Sequence, residues 1–150
     1  MIEVRKLIKE DIFEIRDNLI EPEQRHLLTD EIALFGQDVA TSYTYLKDGK
    51  VVGCCGGSKM KDGLVVDSKE DGVWQMWALY AKDFTAMTIG RCAKAFSLKF
   101  RDILKGDRGE FGVPVGMCHC ERYAKFLGGV FVKKQKCKIT GGKLNIYEVA

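Results

Sequence analysis

Three consecutive residues in the C-terminal third of the chain, Cys118-His119-Cys120, are of types that bind metals or act as nucleophiles. On a strand, Cys118 and Cys120 would face one side and His119 the other. A structural zinc ion needs four ligands, generally in closely spaced pairs, and no second pair with that spacing is present. A cysteine nucleophile would need a base, for which only His119 and His26 are available. We therefore expect neither a metal site nor thiol chemistry.

A run of lysines follows, and it is the strongest local concentration of charge in the sequence. It consists of Lys133, Lys134, Lys136, Lys138 and Lys143. Two interpretations stay open: lysines that protect an exposed edge strand, or contact with an acidic partner, a nucleotide phosphate or nucleic acid. The net charge of +3 is too small to indicate nucleic acid, and no aromatic residues alternate with the lysines to stack on bases. We expect no nucleic-acid partner.

The chain has 150 residues, of which 46% are hydrophobic, and six of them are cysteines. Disulfide frameworks are typical of shorter secreted chains. The charged N-terminus, Met1-Ile2-Glu3-Val4-Arg5-Lys6, lacks the apolar stretch of a secretion signal. No run approaches the roughly 18 apolar residues of a membrane span. We expect free, mostly buried thiols in a cytoplasmic protein that forms one domain over residues 1–150.

Hydrophobic periodicity predicts the elements of the first half. Residues 2–7 alternate like a strand, and a helix from Asp11 would place Ile12, Ile15 and Leu19 on one face. A second helix would begin near Pro22 and end at Gly36. Residues 41–60 are typical of a β-hairpin with an Asp-Gly turn at 48–49. A short apolar piece at 64–66 precedes a strand at 73–80.

The second half contains the best helix pattern. Its apolar residues recur in steps of three and four: Ile89, Cys92, Ala93, Phe96, Phe100, Ile103 and Leu104. Gly106 and Gly109 should end it, before a strand at 112–118, a compact helix closed by Gly128-Gly129, and strands at 130–132 and 144–149. A strand–long helix–strand unit implies a parallel pair. We predict a single α/β domain with a mixed central sheet of about six or seven strands and helices on both faces.

This order of elements resembles the GNAT acyltransferase fold. Proteins of that family begin with a strand and an x-x-x-D-x-x-x-I helix start, as residues 4–12 do around Asp11. Their fourth strand leads into a helix carrying R/Q-x-x-G-x-G/A, which falls on Thr85–Gly90. Near the C-terminus they show an Asn and then F-Y-x-x-x-G-F. The corresponding stretch here is Tyr123–Gly128, with Met117 at the position of the Asn.

A narrower resemblance concerns the segment Arg122–Phe131. It is very similar to the same segment in a group of tailed-phage proteins, described either as GNAT-like acetyltransferases or as an internal virion protein of T7-like phages. The resemblance implies a phage-encoded protein. Such a protein would work in the host cytoplasm or be packaged in the virion, with a phage or host protein as a partner.

The family resemblance implies an acetyl-CoA site. Backbone N–H groups and the dipole at a helix N-terminus hold an anion such as the pyrophosphate. The implied contacts are Trp77, Ala78 and Leu79 with the pantetheine chain and Thr85, Thr88, Ile89, Gly90 and Arg91 with the pyrophosphate. Gly90 supplies the last glycine of the motif, but Thr88 replaces the first and Thr85 replaces the Arg or Gln. Thr85 as a simple helix cap is an open alternative.

Acyl transfer to an amine needs a base, and often an acid for the leaving thiolate. The family's base is commonly a Glu on the fourth strand, where this chain offers Gln75, which can orient a water but cannot accept a proton. The family's acid is a Tyr that aligns with Ala124. Tyr123 is its neighbour, about 100° away on a helix. Gln75 and Tyr123 are the candidate catalytic residues, and Tyr123 as a packed core residue stays open.

The departures at Thr88, Met117 and Ala124 leave two hypotheses. The first is an acyl-CoA-dependent N-acetyltransferase with a degenerate cofactor motif that acts on an amine of a small molecule or a host protein. The second is a non-catalytic virion or host-binding protein that keeps the fold. They differ in one structural feature: either the fourth and fifth strands leave an open slot for the cofactor, or Trp77 or Met117 fills it.

Overall fold

The computed structural model describes residues 1–28, 41–58, 73–116, 118–137 and 141–149, which contain seven strands and three α-helices. The strands are β1 (Ile2–Lys6), β2 (Thr41–Lys47), β3 (Lys50–Ser58), β4 (Trp74–Tyr80), β5 (Gly109–Pro114), β6 (Val130–Lys136) and β7 (Lys143–Val149). The helices are α1 (Lys9–Ile15), α2 (Ala86–Leu104) and α3 (Cys118–Phe126), and a 3₁₀ helix, η1, spans Pro22–Leu27.

The strands form one mixed sheet in the order β1-β2-β3-β4-β5-β7-β6. Every pair of neighbours is antiparallel except β4 and β5, which are parallel and connected through α2. The predicted α/β class, parallel pair and number of strands are confirmed. The β4–β5 pair joins only three positions on each strand, ending at Met76 and Phe111. Beyond them β4 continues along β3 and β5 along β7, so a cleft opens between the two strands.

The apolar side chains form a core on each face of the sheet. On one face α1 packs its Ile12 and Ile15 against the sheet, and Leu79 of β4 belongs to the same core. On the other face lies α2, whose buried residues Cys92, Phe96, Phe100, Ile103 and Leu104 follow the predicted helical stripe. Trp74 and Trp77 of β4 pack on opposite faces. Helices therefore cover both faces, as predicted.

The β2–β3 hairpin follows the predicted turn. Asp48 and Gly49 have φ values of 51° and 78°. A two-residue turn of this kind needs positive φ at both positions, which Asp-Gly provides at low cost. The turn thus sets the register of two central strands from purely local sequence.

The first helix differs from the prediction at both ends. It begins two residues before Asp11, because the Asp11 carboxylate accepts the backbone N–H of Ile8 at 3.0 Å and so closes the first turn from within. It also ends before Leu19, which is buried but pairs as an isolated bridge with Ala81. The predicted helix from Pro22 is the 3₁₀ turn η1. Its remaining residues up to Gly36, and the segment 64–66, lie outside the described residues.

Two boundaries in the second half are also corrected. The strand predicted at 112–118 begins at Gly109, where a Cβ would lie 3.0 Å from side-chain atoms of both Leu104 and Met76. Gly109 is therefore a close-packing position rather than a helix stop, and α2 ends at Lys105 and Gly106 in left-handed conformations. Cys118-His119-Cys120 begins α3 instead of continuing the strand.

The first three lysines of the run lie in the second half of β6, which is longer than the predicted 130–132 and lies at the edge of the sheet. Lys143 begins β7, and Lys138 lies outside the described residues. Lys133, Lys134 and Lys136 are exposed on β6. This arrangement favours the edge-protection interpretation. No helix in the described ranges combines the length and hydrophobicity needed to cross a membrane.

Candidate functional site

The cleft between β4 and β5 has one edge formed by the backbone of β4. Ala81 donates its N–H to the carbonyl of Val52, on the β3 side, at 2.8 Å. Because backbone groups alternate along a strand, the N–H and C=O of Tyr80 and Ala78 face the opposite, β5 side. Ala78 and Tyr80 therefore present the hydrogen-bonding groups of the cleft.

The other two residues predicted to contact pantetheine lie differently. The same alternation turns the backbone groups of Trp77 and Leu79 toward β3. The Trp77 ring leans over β3, since a Cβ on Gly56 would lie 2.7 Å from its Cζ2 atom. Leu79 is buried in the core beneath α1. The indole of Trp77 thus covers β3 and not the cleft, while Met117 lies outside the described residues.

A segment between α1 and η1 runs along the cleft edge of β4; we call residues 18–24 the strap. The N–H of Ile20 donates to the carbonyl of Tyr80, and the N–H of Lys82 donates to the carbonyl of Asn18, both at 2.9 Å. A longer bond of 3.5 Å joins Gln24 Nε2 to the carbonyl of Ala78. The strap therefore takes hydrogen-bonding positions that a pantetheine chain would use.

The strap also reaches beyond β4. Asn18 Nδ2 donates to the Asp83 carboxylate at 2.7 Å, just before α2. The strap is therefore bonded both to β4 and to the loop that precedes α2. Burial, together with the charges of Glu21 and Glu121, raises the pKa of the Cys120 thiol on α3 to about 12. This thiol stays protonated and is a poor nucleophile.

The predicted pyrophosphate loop forms the N-terminus of α2. Thr85 is its N-cap, and its Oγ1 accepts the backbone N–H of Thr88 at 3.2 Å. The two hydroxyl oxygens lie 3.0 Å apart, and Thr88 is buried. The cap interpretation of Thr85 is confirmed, and the Thr88 side chain points into the protein.

The rest of this helix end is open to an anion. The N–H groups of Ala86 and Met87 lie in the first turn, which has no intrahelical acceptors. A Cβ on Gly90 would meet no atom within 4 Å, so no internal contact requires a glycine there. Three exposed cations stand just before α2 or in its first half, and none is in an ion pair with a described residue: Lys82, Arg91 and Lys94. Ile89, also a predicted contact, is instead packed against the α2-side core.

Tyr123 lies on α3 where β4 and β5 separate. Its ring makes edge contacts with Tyr80 of β4, at a centroid distance of 5.3 Å, and with Phe111 of β5, at 6.2 Å. Ala124 points elsewhere, into a small core with Val113 and Tyr147. Tyr123 is thus both packed in the core and placed at the cleft, so the two interpretations of this residue are compatible.

Gln75 has a neighbour that the sequence analysis missed. The β4–β5 register sets Gln75 beside Glu110, and paired residues share a face of the sheet. Glu110 is only partly buried. The predicted strand at 112–118 begins three residues after the start of β5, so Glu110 lies outside it. The alternation of Glu110 between Gly109 and Phe111 was the available signal.

Of the two parts of the predicted cofactor site, the helix end is more open than the edge of β4. The N-terminus of α2 offers unpaired N–H groups, an open glycine and three cations, whereas the β4 edge is shared with the strap.

No group of three or more Cys, His, Asp or Glu side chains in the described part of the chain could hold a metal ion. The described cysteines are all free, and Cys54, Cys55, Cys92 and Cys137 are buried.

No protein-family model matches the sequence, and no curated protein matches it either. Solved structures do match. An N-acetyltransferase from Staphylococcus aureus superposes with a TM-score of 0.68 at 10% identity, covering 99% of this chain and 98% of its own. Ribosomal-protein-S5-alanine acetyltransferase from Vibrio fischeri gives 0.64 at 11%, covering 98% and 91%.

Aminoglycoside acetyltransferase AAC(6')-Ib, solved in complex with coenzyme A, gives a TM-score of 0.67 at 14% identity and covers 99% of this chain and 94% of its own. At such identities the likeness concerns the fold alone. Nearly complete coverage in both directions shows that it extends over the whole domain. The chain has the GNAT acetyltransferase fold.

Proposed function

We propose that this protein is an acyl-CoA-dependent N-acyltransferase. The proposal rests on the cleft that opens where β4 and β5 separate after Met76 and Phe111. The N-terminus of α2, whose free N–H groups can bind an anion, follows β4 directly. A structural neighbour solved with coenzyme A supports the same cofactor class. The residues proposed to hold the cofactor are the backbone of Ala78 and Tyr80 and the helix end at Ala86, Met87 and Gly90, with Arg91 nearby.

Acyl-CoA would supply an activated acyl group: an amide C–N bond forms as the thioester C–S bond breaks, the amine gives up a proton and the thiolate gains one. In this chain Glu110 is the proposed proton acceptor and Gln75 orients the amine or a water beside it. Tyr123 is the proposed donor toward the leaving group. Gln75 and Glu110 lie on the α1 face of the sheet and Tyr123 on the α2 face, so acceptor and leaving group are separated.

The proposed acceptor is an amine of a small molecule or of a host protein. One structural neighbour is named for aminoglycosides and another for the alanine of ribosomal protein S5. These acceptors share only an amine. That shared group is therefore all that we carry over to this chain.

Isothermal titration with acetyl-CoA tests the cofactor proposal. We expect a micromolar Kd, abolished in Gly90→Trp because the indole would fill the open space over the helix end. The matched control is Asp102→Trp, an exposed position near the other end of α2, which should bind like the parent. No heat and no thermal shift at millimolar acetyl-CoA would overturn the proposal.

The proposed base is tested by Glu110→Gln, with Glu148→Gln as control. Glu148 is the neighbour of Glu110 on β7 and is paired with Arg108 at 3.4 Å. Once an acceptor amine is identified, the Glu110 variant should lose at least tenfold in kcat with an unchanged Kd for acetyl-CoA. Equal activity in both variants would exclude Glu110 as the base.

A non-catalytic binding protein that keeps the fold is the second candidate. The observation that favours it is the strap, whose bonds to the carbonyls of Tyr80 and Ala78 use the edge that a pantetheine chain needs. The double variant Asn18→Ala/Gln24→Ala removes two side-chain bonds of the strap. If the strap only gates the cleft, this variant should bind acetyl-CoA more tightly than the parent. If neither binds, the second candidate is favoured and its partner should be sought by pull-down.

We also propose a tailed-phage origin, supported by the similarity of Arg122–Phe131 to phage proteins. The protein would then work in the host cytoplasm or travel inside the virion. Mass spectrometry of purified particles of the encoding phage distinguishes the two locations. A chromosomal gene outside any prophage would contradict the proposal.

A further inference from the structure

We infer that the hydroxyl groups of Tyr80 and Tyr123 together form a binding site for the carbonyl oxygen of the acyl group. The inference deepens the proposed function and rests on it. Both hydroxyl oxygens are buried and interact with each other, and neither makes a hydrogen bond of regular geometry with a described residue. Nearly all buried polar atoms in proteins have a partner, because leaving one without costs stability. Two such atoms in one place call for an explanation by function.

The two side chains come from the two sides of the cleft. Tyr80 is the last residue of β4, beyond its last pairing with β5, and Tyr123 is on α3. Their rings meet edge to face, at an angle of 73°. Phe96 packs on Tyr80 and Phe111 on Tyr123, so apolar rings surround the pair. Hydrogen bonds formed in such surroundings are stronger than in water.

The hydroxyls are suited to donate hydrogen bonds. Burial raises the pKa of both phenols well above the usual value, and each phenol also perturbs the pKa of the other. Both therefore carry their protons at neutral pH. Described cationic or anionic side chains make no hydrogen bond or ion pair with either hydroxyl. A pair of neutral donors suits an acceptor that gains negative charge, such as a thioester carbonyl under attack.

Comparing the binding of acetyl-CoA and coenzyme A isolates the contribution of the acyl carbonyl group to affinity. Acetyl-CoA carries it and coenzyme A does not, while both share the nucleotide, the pyrophosphate and the pantetheine. Tyr80→Phe and Tyr123→Phe should each bind acetyl-CoA about five- to tenfold more weakly than the parent, the effect of one hydrogen bond. The affinity of Tyr80→Phe for coenzyme A should not change, and that of Tyr123→Phe should fall by less than its affinity for acetyl-CoA, because Tyr123 is also proposed to face the sulfur. Tyr43→Phe is the control, because that ring lies under Lys99 and away from the cleft.

A second readout does not depend on the ligand. Removing an unpartnered buried hydroxyl should raise the Tm of the free Tyr80→Phe and Tyr123→Phe proteins, so affinity and stability should change in opposite directions. An unchanged ratio of acetyl-CoA to coenzyme A affinity in both variants would overturn the inference while leaving the proposed function in place. A parent protein that binds neither ligand would overturn both.

Discussion

Four hydrogen bonds converge on one buried carboxylate, that of Asp11. Arg5 donates two, at 2.8 and 2.9 Å, and the others come from the backbone of Ile8 at 3.0 Å and the hydroxyl of Thr44 at 2.7 Å. Together they connect β1, α1 and β2. Burial by itself would raise the pKa of Asp11, but the bonds from Arg5, Ile8 and Thr44 outweigh it and hold the pKa below the usual range.

Replacing this carboxylate should be costly. Asp11→Asn leaves the guanidinium of Arg5 without its charge partner and turns an amide N–H₂ toward one of the donors. We expect a loss of about 2–4 kcal/mol in the free energy of unfolding, measured by urea titration at pH 7. Asp102→Asn, at an exposed position, is the control and should change stability by less than about 0.5 kcal/mol. An Asp11 variant as stable as the control would contradict this account.

The Asp11 carboxylate should also make the free energy of unfolding depend on pH. Because its pKa is lowered in the folded state, Asp11 contributes stability above the unfolded pKa of about 3.8. That contribution is lost as the pH falls toward and through the folded pKa. The parent should therefore lose more stability than Asp11→Asn between about pH 5 and pH 2, as followed by urea unfolding. Parallel pH profiles would show that the ion pair has no such role.

Two glycines, one in a crowded position and one in an open position, allow a matched test of packing. A Cβ on Gly56 would lie 2.7 Å from the Trp77 ring, whereas one on Gly90 would meet nothing within 4 Å. Gly56→Ala should destabilise the fold by about 1–3 kcal/mol through overpacking. Gly90→Ala should stabilise it by up to about 1 kcal/mol, because alanine is the better helix former. Thermal unfolding of both proteins checks the signs, and the same sign in both would refute the argument.

For single helices, strands and turns, the sequence predicts correctly the features that depend only on neighbouring residues. The stripe of α2 and the Asp-Gly turn of the β2–β3 hairpin act over a few residues, and both are where the sequence places them. The start of β5 was wrong because Gly109 is set by contacts with Leu104 and Met76, which exist only after the sheet has packed. A glycine alone does not reveal whether it ends a helix or makes room for a neighbour.

The N-terminus of α2 is stabilised by a side-chain cap whose contribution can be measured. Thr85 accepts the N–H of Thr88, so Thr85→Ala should cost about 1 kcal/mol of stability, whereas Thr85→Ser should retain most of it. Urea unfolding of the two variants measures the cap. If alanine and serine destabilise equally, the loss comes from the methyl group of Thr85 and not from its hydrogen bond.

At the scale of the whole molecule, the candidate site depends on contacts distant in sequence. Glu110 becomes the neighbour of Gln75 only through the β4–β5 register, and the strap reaches β4 from a point about 60 residues earlier in the chain. The motif residues around Thr85 and Gly90 could be found because they are contiguous. The alternation around Glu110 can place this residue on a strand, but it does not say which residue of β4 lies beside it, so the pairing with Gln75 could not be found from the sequence.

The edge of the sheet formed by β6 could pair with a second copy of the chain. Strand β6 exposes Val130, Phe131 and Val132 to 66%, 49% and 45%, and such an apolar edge is a template for pairing with a second chain. The exposed lysines that follow, Lys133, Lys134 and Lys136, form no ion pair with described residues. Two copies that paired along β6 would bring these charges together, and the repulsion opposes that association.

Changing those three lysines to glutamine keeps their length and removes their charge. We expect the triple variant to self-associate at concentrations where the parent does not, seen as an increased weight-average sedimentation coefficient. A control that changes Lys47, Lys50 and Lys94 to glutamine lowers the net charge equally but leaves β6 intact, and it should sediment like the parent. Adding Val132→Pro to the first variant should reverse the association, because proline cannot donate a hydrogen bond to a pairing strand. If both triple variants associate equally, net charge and not the edge keeps the molecules apart.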